Sequence, residues 1–242
     1  MKKGKLIILA AVAVASLGVA CLSCSKDEAN DDNTGTNGGG NGGVSSSEWV
    51  DLGLPSGLKW ASCNVGANKP EGFGNYYAWG ETQTKNTYDW DTYIYAVSEL
   101  NTELKKYCND PEKGYNGYTD DLTVLLAEDD AASANIGNGA RTPTKEEWDE
   151  LLGNCTHTWT SLNGVAGLLF TGSNGNSIFL PASGYIFDAV ECLAGGQGFY
   201  WSSSLCLEEP AVAWSFEFTD WNADTFDGGL GRKTGYTIRP VK

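Results

Sequence analysis

The chain has 242 residues, of which 41% are apolar and 12% aromatic, enough to bury a full hydrophobic core. It carries 16 basic and 31 acidic residues, a formal net charge of −15, which argues against nucleic acid and anionic headgroups as partners. It has no Gly-x-x-x-x-Gly-Lys phosphate-binding loop.

Residues 1–23 have the pattern of a lipoprotein signal peptide: a lysine-rich start, then an apolar run at 6–20 that is short for a bilayer span. Cys24, followed by Ser-Lys-Asp-Glu, resembles the mature start of bacterial lipoproteins of the Bacteroidetes type, and Cys21 is the alternative lipidation site. The resemblance implies an acylated cysteine and export to the outer membrane, with the protein facing the cell exterior.

Cleavage after residue 23 removes three lysines and no acid, so the formal charge of the mature chain becomes −18. The acyl chains, rather than the protein surface, are therefore expected to hold the protein to the membrane. Residues 24–47 consist mainly of Gly, Asn, Ser and Asp and are interpreted as a flexible tether. One domain is expected over residues 48–242.

The first half of this domain contains few clear signals. Two short strands, at 49–54 and 58–65, flank a Pro-Ser-Gly turn and predict an opening hairpin. A short helix is expected over 98–107, and one helical turn over 128–132.

The strongest local pattern lies at residues 140–153, which predict a helix with all its boundary signals. Thr144 is expected to form a capping box with Glu147, and Gly153 to end the helix. Trp148 and Leu151 fall on one side, so the helix is expected to pack on a sheet by that face.

After this helix the pattern alternates with a period of two. Runs at 156–162, 165–171 and 176–180, joined at Asn-Gly pairs, predict a three-stranded meander. Further strands are expected at 199–204, 211–218 and 236–241, with Trp214 in the core. Short antiparallel strands with few helices predict an α+β fold.

Five cysteines follow the signal peptide: Cys63, Cys108, Cys155, Cys192 and Cys206. The odd number leaves at least one unpaired, and connectivity does not follow from sequence. In an exported protein a disulfide between Cys192 and Cys206 is the favoured pairing. The alternative is that all five are small buried hydrophobic residues.

Several blocks in this order together resemble the Fibrobacter succinogenes major paralogous domain, over roughly residues 48–242. The blocks are Val50–Ala61 (VDLGLPSGLKWA), Tyr77–Glu81 (YAWGE), Arg141–Trp148 (RTPTKEEW), Asn176–Gly184 (NSIFLPASG), Tyr200–Ser204 (YWSSS) and Ile238–Val241 (IRPV). That family is similar to the formylglycine-generating-enzyme branch of the C-type lectin-like fold. The resemblance implies this fold.

Two departures weigh against the activities of those relatives. The sulfatase-modifying enzymes bind copper through a pair of closely spaced C-terminal cysteines, whereas Cys192 and Cys206 are 14 residues apart without a matching motif. Calcium-dependent lectins use Glu-Pro-Asn and Trp-Asn-Asp motifs, but this chain has Glu-Pro-Ala at 209–211 and Trp-Asn-Ala-Asp at 221–224. No cofactor and no metal are therefore expected.

The residues offer little for catalysis. His157, the one histidine, is expected to face solvent on a strand with Trp159 on the opposite face. The acidic residues at 120–121 and 128–130 fit no EF-hand loop and are interpreted as a solvated acidic surface. Paired carboxylates for glycoside hydrolysis are not singled out.

Surface recognition is therefore the favoured function. The C-terminal third holds a stretch of aromatic, acidic and amide residues suited to stacking on a sugar or a partner side chain, with two glutamates bordering it: Asp220, Trp221, Asn222, Asp224, Phe226, Asp227, Glu208 and Glu209. The alternative is an ordinary loop in which Trp221 or Phe226 folds into the core.

The sequence thus predicts a non-catalytic, lipid-anchored binding protein whose ligand is a glycan or a protein. The rival functions are an enzyme, either a degenerate oxidase or a carboxylate-based hydrolase, and a structural or fimbria-associated surface protein. Lipoproteins of this fold are frequent targets of diversity-generating retroelements, and the layout of residues 200–242 is compatible with such a target.

Overall fold

The structure, a computed structural model, describes residues 48–98, 103–227 and 229–242. The predicted signal peptide, the lipidation sites Cys24 and Cys21, and the tether lie outside the described residues. None of the helices in the described ranges is both long and apolar enough to cross a bilayer.

The architecture is α+β, with short antiparallel strands and few helices. The two α-helices of the described ranges are α1 (Ala131–Ile136) and α2 (Lys145–Asn154), and single 3₁₀ turns occupy Tyr115–Gly117 and Ala127–Asp129. The strands are β1 (Trp49–Asp51), β2 (Lys59–Ala61), β3 (Thr156–Leu162), β4 (Val165–Thr171), β5 (Ser177–Pro181), β6 (Tyr185–Phe187), β7 (Val190–Cys192), β8 (Gly198–Leu205), β9 (Ala213–Phe218) and β10 (Ala223–Phe226).

Two predicted hairpin systems are confirmed. β1 pairs antiparallel with β2, and β3, β4 and β5 form a meander. Asn163 and Gly164, between β3 and β4, have φ of 50° and 85°. Positive φ at both central residues belongs to the turn whose twist matches that of the flanking strands, which explains the Asn-Gly pair there.

The sheet β10-β9-β8 separates two hydrophobic cores. Tyr200 and Phe216 point to one side, where β3–β5 and α2 cover them. Phe199 and Trp201 point to the other, against Tyr236 and its neighbours. Because both faces are covered, every residue of β8 is buried.

Helix α2 confirms the strongest local prediction. Thr144 Oγ1 accepts from the Glu147 amide at 3.3 Å, and Glu147 Oε2 accepts from the Thr144 amide at 2.8 Å. The fully buried Trp148 ring stacks on Phe216 at a centroid distance of 4.6 Å. The predicted stop is wrong: Gly153 remains helical, and the helix ends at Asn154 with Cys155 in an extended conformation.

Three other predictions need correction. Residues 103–107 form no helix, and Leu104 instead makes isolated bridges to Ala96 and Gly114. The turn expected at 128–132 is interrupted by Asp130, whose backbone is extended and whose side chain caps α1. Trp214 is only half-buried, because Lys145 Nζ, 4.9 Å from its ring centroid, covers it rather than a core residue.

The C-terminal segment pairs only through isolated bridges and forms no continuous strand. Its fully buried Arg239 donates to Asn64 Oδ1 at 2.8 Å and to the carbonyl oxygens of Ala61, Ser62 and Phe179 at 2.7–2.9 Å. Neutral acceptors thus hold this guanidinium, which ties the chain end to the opening hairpin and to β5.

Candidate functional site

The candidate site is built on the hairpin of β9 and β10. The expected irregular stretch is in fact ordered, because Ala223–Phe226 pairs with Ser215–Phe218. The connecting turn is closed by a hydrogen bond from the Thr219 amide to the Asn222 carbonyl at 2.8 Å. Thr219 Oγ1 also accepts from the amides of Trp221 and Asn222, at 3.3 and 3.1 Å. The backbone under Trp221 is therefore fixed locally.

Two aromatic side chains, one in the turn and one on β10, point outward from this hairpin. Trp221 is 81% exposed and Phe226 is 38% exposed. The alternative in which either ring folds into the core is therefore wrong. Four predicted polar residues are exposed on the same hairpin: Asp220, Asn222, Asp224 and Asp227.

A first concavity of about 340 Å³ lies on one side of the turn. Turn residues 219–223 form one wall, and His157, Trp159 and Leu168 of β3 and β4 form the other. Trp159 also contacts Phe218 edge-on at 6.2 Å, so the two sheets meet at the base of this concavity. Its volume is at the lower end of the range typical of ligand sites, about 300–1,000 Å³.

A second concavity of about 200 Å³ lies between the turn and β9. It shares Thr219, Trp221 and Asn222 with the first and adds Gln197, Glu217, Phe218 and Phe226. The residues shared by both concavities make the Trp221 turn a ridge between them.

Glu217 is the half-buried carboxyl of the second concavity. Burial raises the pKa of Glu217, and the negative charge of Asp227 raises it further. A hydrogen bond from Ser215 Oγ at 2.8 Å acts in the opposite direction and lowers the pKa. In the β9–β10 register Glu217 lies directly opposite Asp224, so the two carboxyls share one face of the sheet.

The lining residues that were not assigned to a site from sequence include His157, Trp159, Gln197 and Glu217. For His157 and Trp159 the signal was present, because residues two apart on a strand share a face. The expectation that they lie on opposite faces was therefore wrong, although His157 is exposed as predicted. Glu217 lies two residues before Thr219 in the chain, whereas the pairing of β8 with β9 brings Gln197 to the turn.

No family model, no characterised protein and no solved structure matches this chain. The resemblance to the Fibrobacter succinogenes major paralogous domain stays a prediction, and the site is interpreted from its own geometry.

Glu208 and Glu209 do not border this site, contrary to expectation. They follow β8, whose last residue Leu205 pairs with Ala213 at the start of β9, whereas Trp221 follows the end of β9. A six-residue strand separates the two ends by about 17 Å. Glu209 instead forms a salt bridge with Lys113 at 3.0 Å.

The favoured disulfide between Cys192 and Cys206 is not formed, since both thiols are free. Cys192 lies within the β6–β7 hairpin, where its Sγ is 3.7 Å from the Val190 carbonyl oxygen. Cys206 Sγ is 3.5 Å from Glu208 Oε2, and burial raises the pKa of this thiol. The other three cysteines are free and buried, as the alternative interpretation expected.

Of the acidic run at 128–130, only Glu128 is exposed as expected, whereas Asp129 and Asp130 are buried. Asp129 is only 8% exposed and accepts hydrogen bonds from Tyr95 at 2.6 Å, from Tyr107 and from Lys106. Burial alone would raise the pKa of Asp129, but these three donors outweigh it and lower the pKa. Asp129 is therefore part of a buried structural network.

The described residues hold no cluster of three or more His, Cys, Asp or Glu side chains placed to bind a metal ion. Of the acidic pair at 120–121, Asp120 accepts from the backbone amides of Tyr107 and Cys108 at 2.7 and 3.2 Å. These contacts hold the loop on which Asp120 lies, and Asp121 is exposed.

Proposed function

We propose that this protein is a non-catalytic, lipid-anchored binding protein of the outer cell surface, which recognises a glycan or a protein through the Trp221 hairpin. The C-type lectin-like fold, in its formylglycine-generating-enzyme branch, is part of the proposal. The alternation of short strands around α2 and the six sequence blocks support it.

One observation carries the function. Trp221 is 81% exposed on a turn that is closed by a backbone hydrogen bond from Thr219 to Asn222 and by Thr219 Oγ1, which accepts from the Trp221 amide. Leaving a large aromatic ring in water forgoes roughly 3 kcal/mol of burial. An exposed ring between two concavities is an arrangement that can stack on a sugar face or fill a partner's pocket.

The test is a glycan array probed with the purified full chain and with Trp221→Ala. Binding to an arrayed glycan is expected, and the substitution should weaken it at least about 30-fold, near 2 kcal/mol. Leu207→Ala is the matched control, because Leu207 is 49% exposed but lies in the β8–β9 loop. Equal losses in both variants would contradict the proposal.

A carboxylate-based hydrolase is the second candidate, favoured by the opposed pair Glu217 and Asp224 beside a concavity. A carboxyl with a raised pKa next to a second carboxylate is the pairing that glycoside hydrolysis uses. Release of reducing sugar by the purified protein, abolished by Glu217→Gln, would favour the hydrolase. Unchanged oligosaccharides after prolonged incubation would favour binding alone.

The anchor and the diversification idea are tested separately. Mass spectrometry of the mature N-terminus is expected to find acyl chains on Cys24, and acylation of Cys21 is the alternative. On β10 the exposed Asp224 and Phe226 alternate with half-buried residues, a layout that tolerates surface variation. A neighbouring reverse-transcriptase gene with a near-copy of the C-terminal coding segment would support a diversity-generating retroelement.

A further inference from the structure

The exposed aromatic ring of the candidate site is bordered by two concavities rather than one. Thr219, Trp221 and Asn222 line both. The first concavity continues to His157 and Trp159 on β3, and the second to Phe226 on β10. A ligand stacked on Trp221 would therefore have room to extend away from the ring in two directions.

The polar groups around the ridge are amides and carboxylates. Asn222 lies on the ridge, Gln197 and Glu217 line the second concavity, and Asp220 lines the first. Amides both donate and accept hydrogen bonds, and carboxylates accept them in pairs, which matches the adjacent hydroxyl groups of a sugar ring. Trp159 and Phe226 provide further aromatic surface, one on each side.

The charges select against anionic ligands. Among the described residues that line the two concavities there is no lysine and no arginine. An anionic saccharide would approach Asp220 and Glu217, with Asp224 and Asp227 close by on the same hairpin. It would meet like charges without a paired cation, which costs binding free energy.

A cationic ligand gains little from the three exposed aspartates of the hairpin. Asp220, Asp224 and Asp227 are exposed, and ion pairs of exposed carboxylates are worth about 0–1 kcal/mol. Stacking and directed hydrogen bonds remain the larger contributions. Exposed rings interspersed with amides and carboxylates also differ from the continuous apolar centre that a protein interface buries.

We propose that the site binds a linear chain of uncharged sugars that crosses the Trp221 ridge and occupies both concavities. This inference rests on the proposed function. It adds that the ligand is an uncharged saccharide and that the ligand must be long enough to reach both concavities. One sugar unit stacks on Trp221, and units on either side contact the His157 wall and the Phe226 wall.

The test is calorimetric titration of the purified full chain with β-1,4-linked glucose and mannose oligosaccharides, from monosaccharide to hexasaccharide. Polygalacturonate and chitosan oligomers of the same lengths serve as the anionic and cationic series. Affinity for at least one uncharged series should rise about tenfold or more between one and four units and change little with salt. The anionic series should bind more weakly at every length.

Variants on the two walls locate the subsites. His157→Ala and Phe226→Ala should each remove part of the gain with chain length while leaving the weak binding of short sugars. Trp221→Ala should remove binding at all lengths, and Leu207→Ala should change nothing. Circular dichroism melting of each variant separates lost contacts from lost folding.

The outcomes separate this inference from the proposed function. Three outcomes would overturn the inference but leave the proposed function standing. They are Trp221-dependent binding of a protein, tighter binding of the anionic or the cationic series than of the uncharged sugars, and binding of a monosaccharide as tight as that of the hexasaccharide. The inference would also fail if neither wall variant altered the length dependence. Absence of any Trp221-dependent ligand, sugar or protein, would overturn both.

Discussion

Two regions of the molecule are built from the same residue types, but one region is buried and the other is exposed. The buried network around Asp129 combines a carboxylate with Tyr95, Tyr107 and the ring of Trp79. The hairpin from Glu217 to Asp227 combines carboxylates with Trp221 and Phe226. The network is mostly enclosed, whereas Trp221, Phe226 and the three aspartates of the hairpin face solvent.

The difference lies in the donors that tertiary structure supplies. Asp129 receives three side-chain hydrogen bonds, one of them from a lysine, so its charge is stabilised where it is buried. Trp79 donates its ring N–H to the Ser202 carbonyl at 2.8 Å. Aromatic and acidic residues therefore form part of the buried interior in one place and a solvent-exposed surface in the other.

The sharpest test compares two tryptophans. Trp79→Ala should lower the free energy of unfolding by about 4 kcal/mol, because a ring that is 1% exposed leaves a cavity and an unpaired carbonyl. Trp221→Ala should change it by less than about 0.5 kcal/mol. Urea denaturation measures both values. Similar losses in the two variants would mean that Trp221 is a packing residue.

The next effect concerns the buried acid. Asp129→Ala should lower the free energy of unfolding by about 3 kcal/mol, because Lys106 and two tyrosine hydroxyls lose their hydrogen-bond acceptor. The adjacent exposed Glu128→Ala is the control and should cost less than about 0.5 kcal/mol.

This contribution of Asp129 depends on pH in a defined direction. The folded state lowers the pKa of Asp129 below its ordinary value of 3.8, so the stabilisation is present above that value and is lost as the pH falls through the folded pKa. The difference in melting temperature between wild type and Asp129→Asn should therefore shrink in acid. A constant difference across the pH range would contradict the ionised network.

Glu217 should show the opposite pH dependence with a smaller effect. Its folded pKa is raised above the ordinary value of 4.5, so stability falls as the pH rises through that pKa. Glu217→Gln should melt slightly above wild type at neutral pH, and the difference should vanish below about pH 4. If Glu217→Gln were less stable than wild type at pH 7, the ionised Glu217 carboxylate would have to be stabilised by a hydrogen bond or charge other than those described above.

The smallest change in stability is expected at Glu209, which was predicted to border the site but lies away from it. Glu209→Gln breaks the exposed salt bridge to Lys113 and should cost less than about 0.5 kcal/mol. Ligand affinity should stay unchanged, since Glu209 lies at the far end of β9. If titration showed that Glu209→Gln loses ligand affinity, the β8–β9 loop would have to be part of the site.

Local patterns predicted what depends on neighbours in the chain. The capping box of α2, the buried face of Trp148 and the Asn163-Gly164 turn are confirmed, because a few adjacent residues determine each of them. The second Asn-Gly pair instead lies inside the longer loop 172–176, where Gly175 but not Asn174 has a positive φ. The helix end was wrong by three residues, because a stop at Gly153 places the C-cap at Leu152 and the observed C-cap is Cys155.

The candidate site was predicted only in part. The exposed residues of 220–227 were identified by composition, but their placement on a strand was not. Glu208 and Glu209 are close to this stretch in sequence and at the opposite end of β9 in space. Proximity along the chain does not translate into proximity across a hairpin, because strand length sets the separation.

Sequence alone determined the α+β class and the main helix, because hydrophobic periodicity and capping act over short range. Only the tertiary structure decided that Asp129 is buried, that Trp221 is exposed and that His157 faces the Trp221 turn. Such outcomes depend on which distant segments supply hydrogen-bond partners and cover each face. Residue identities by themselves do not specify that.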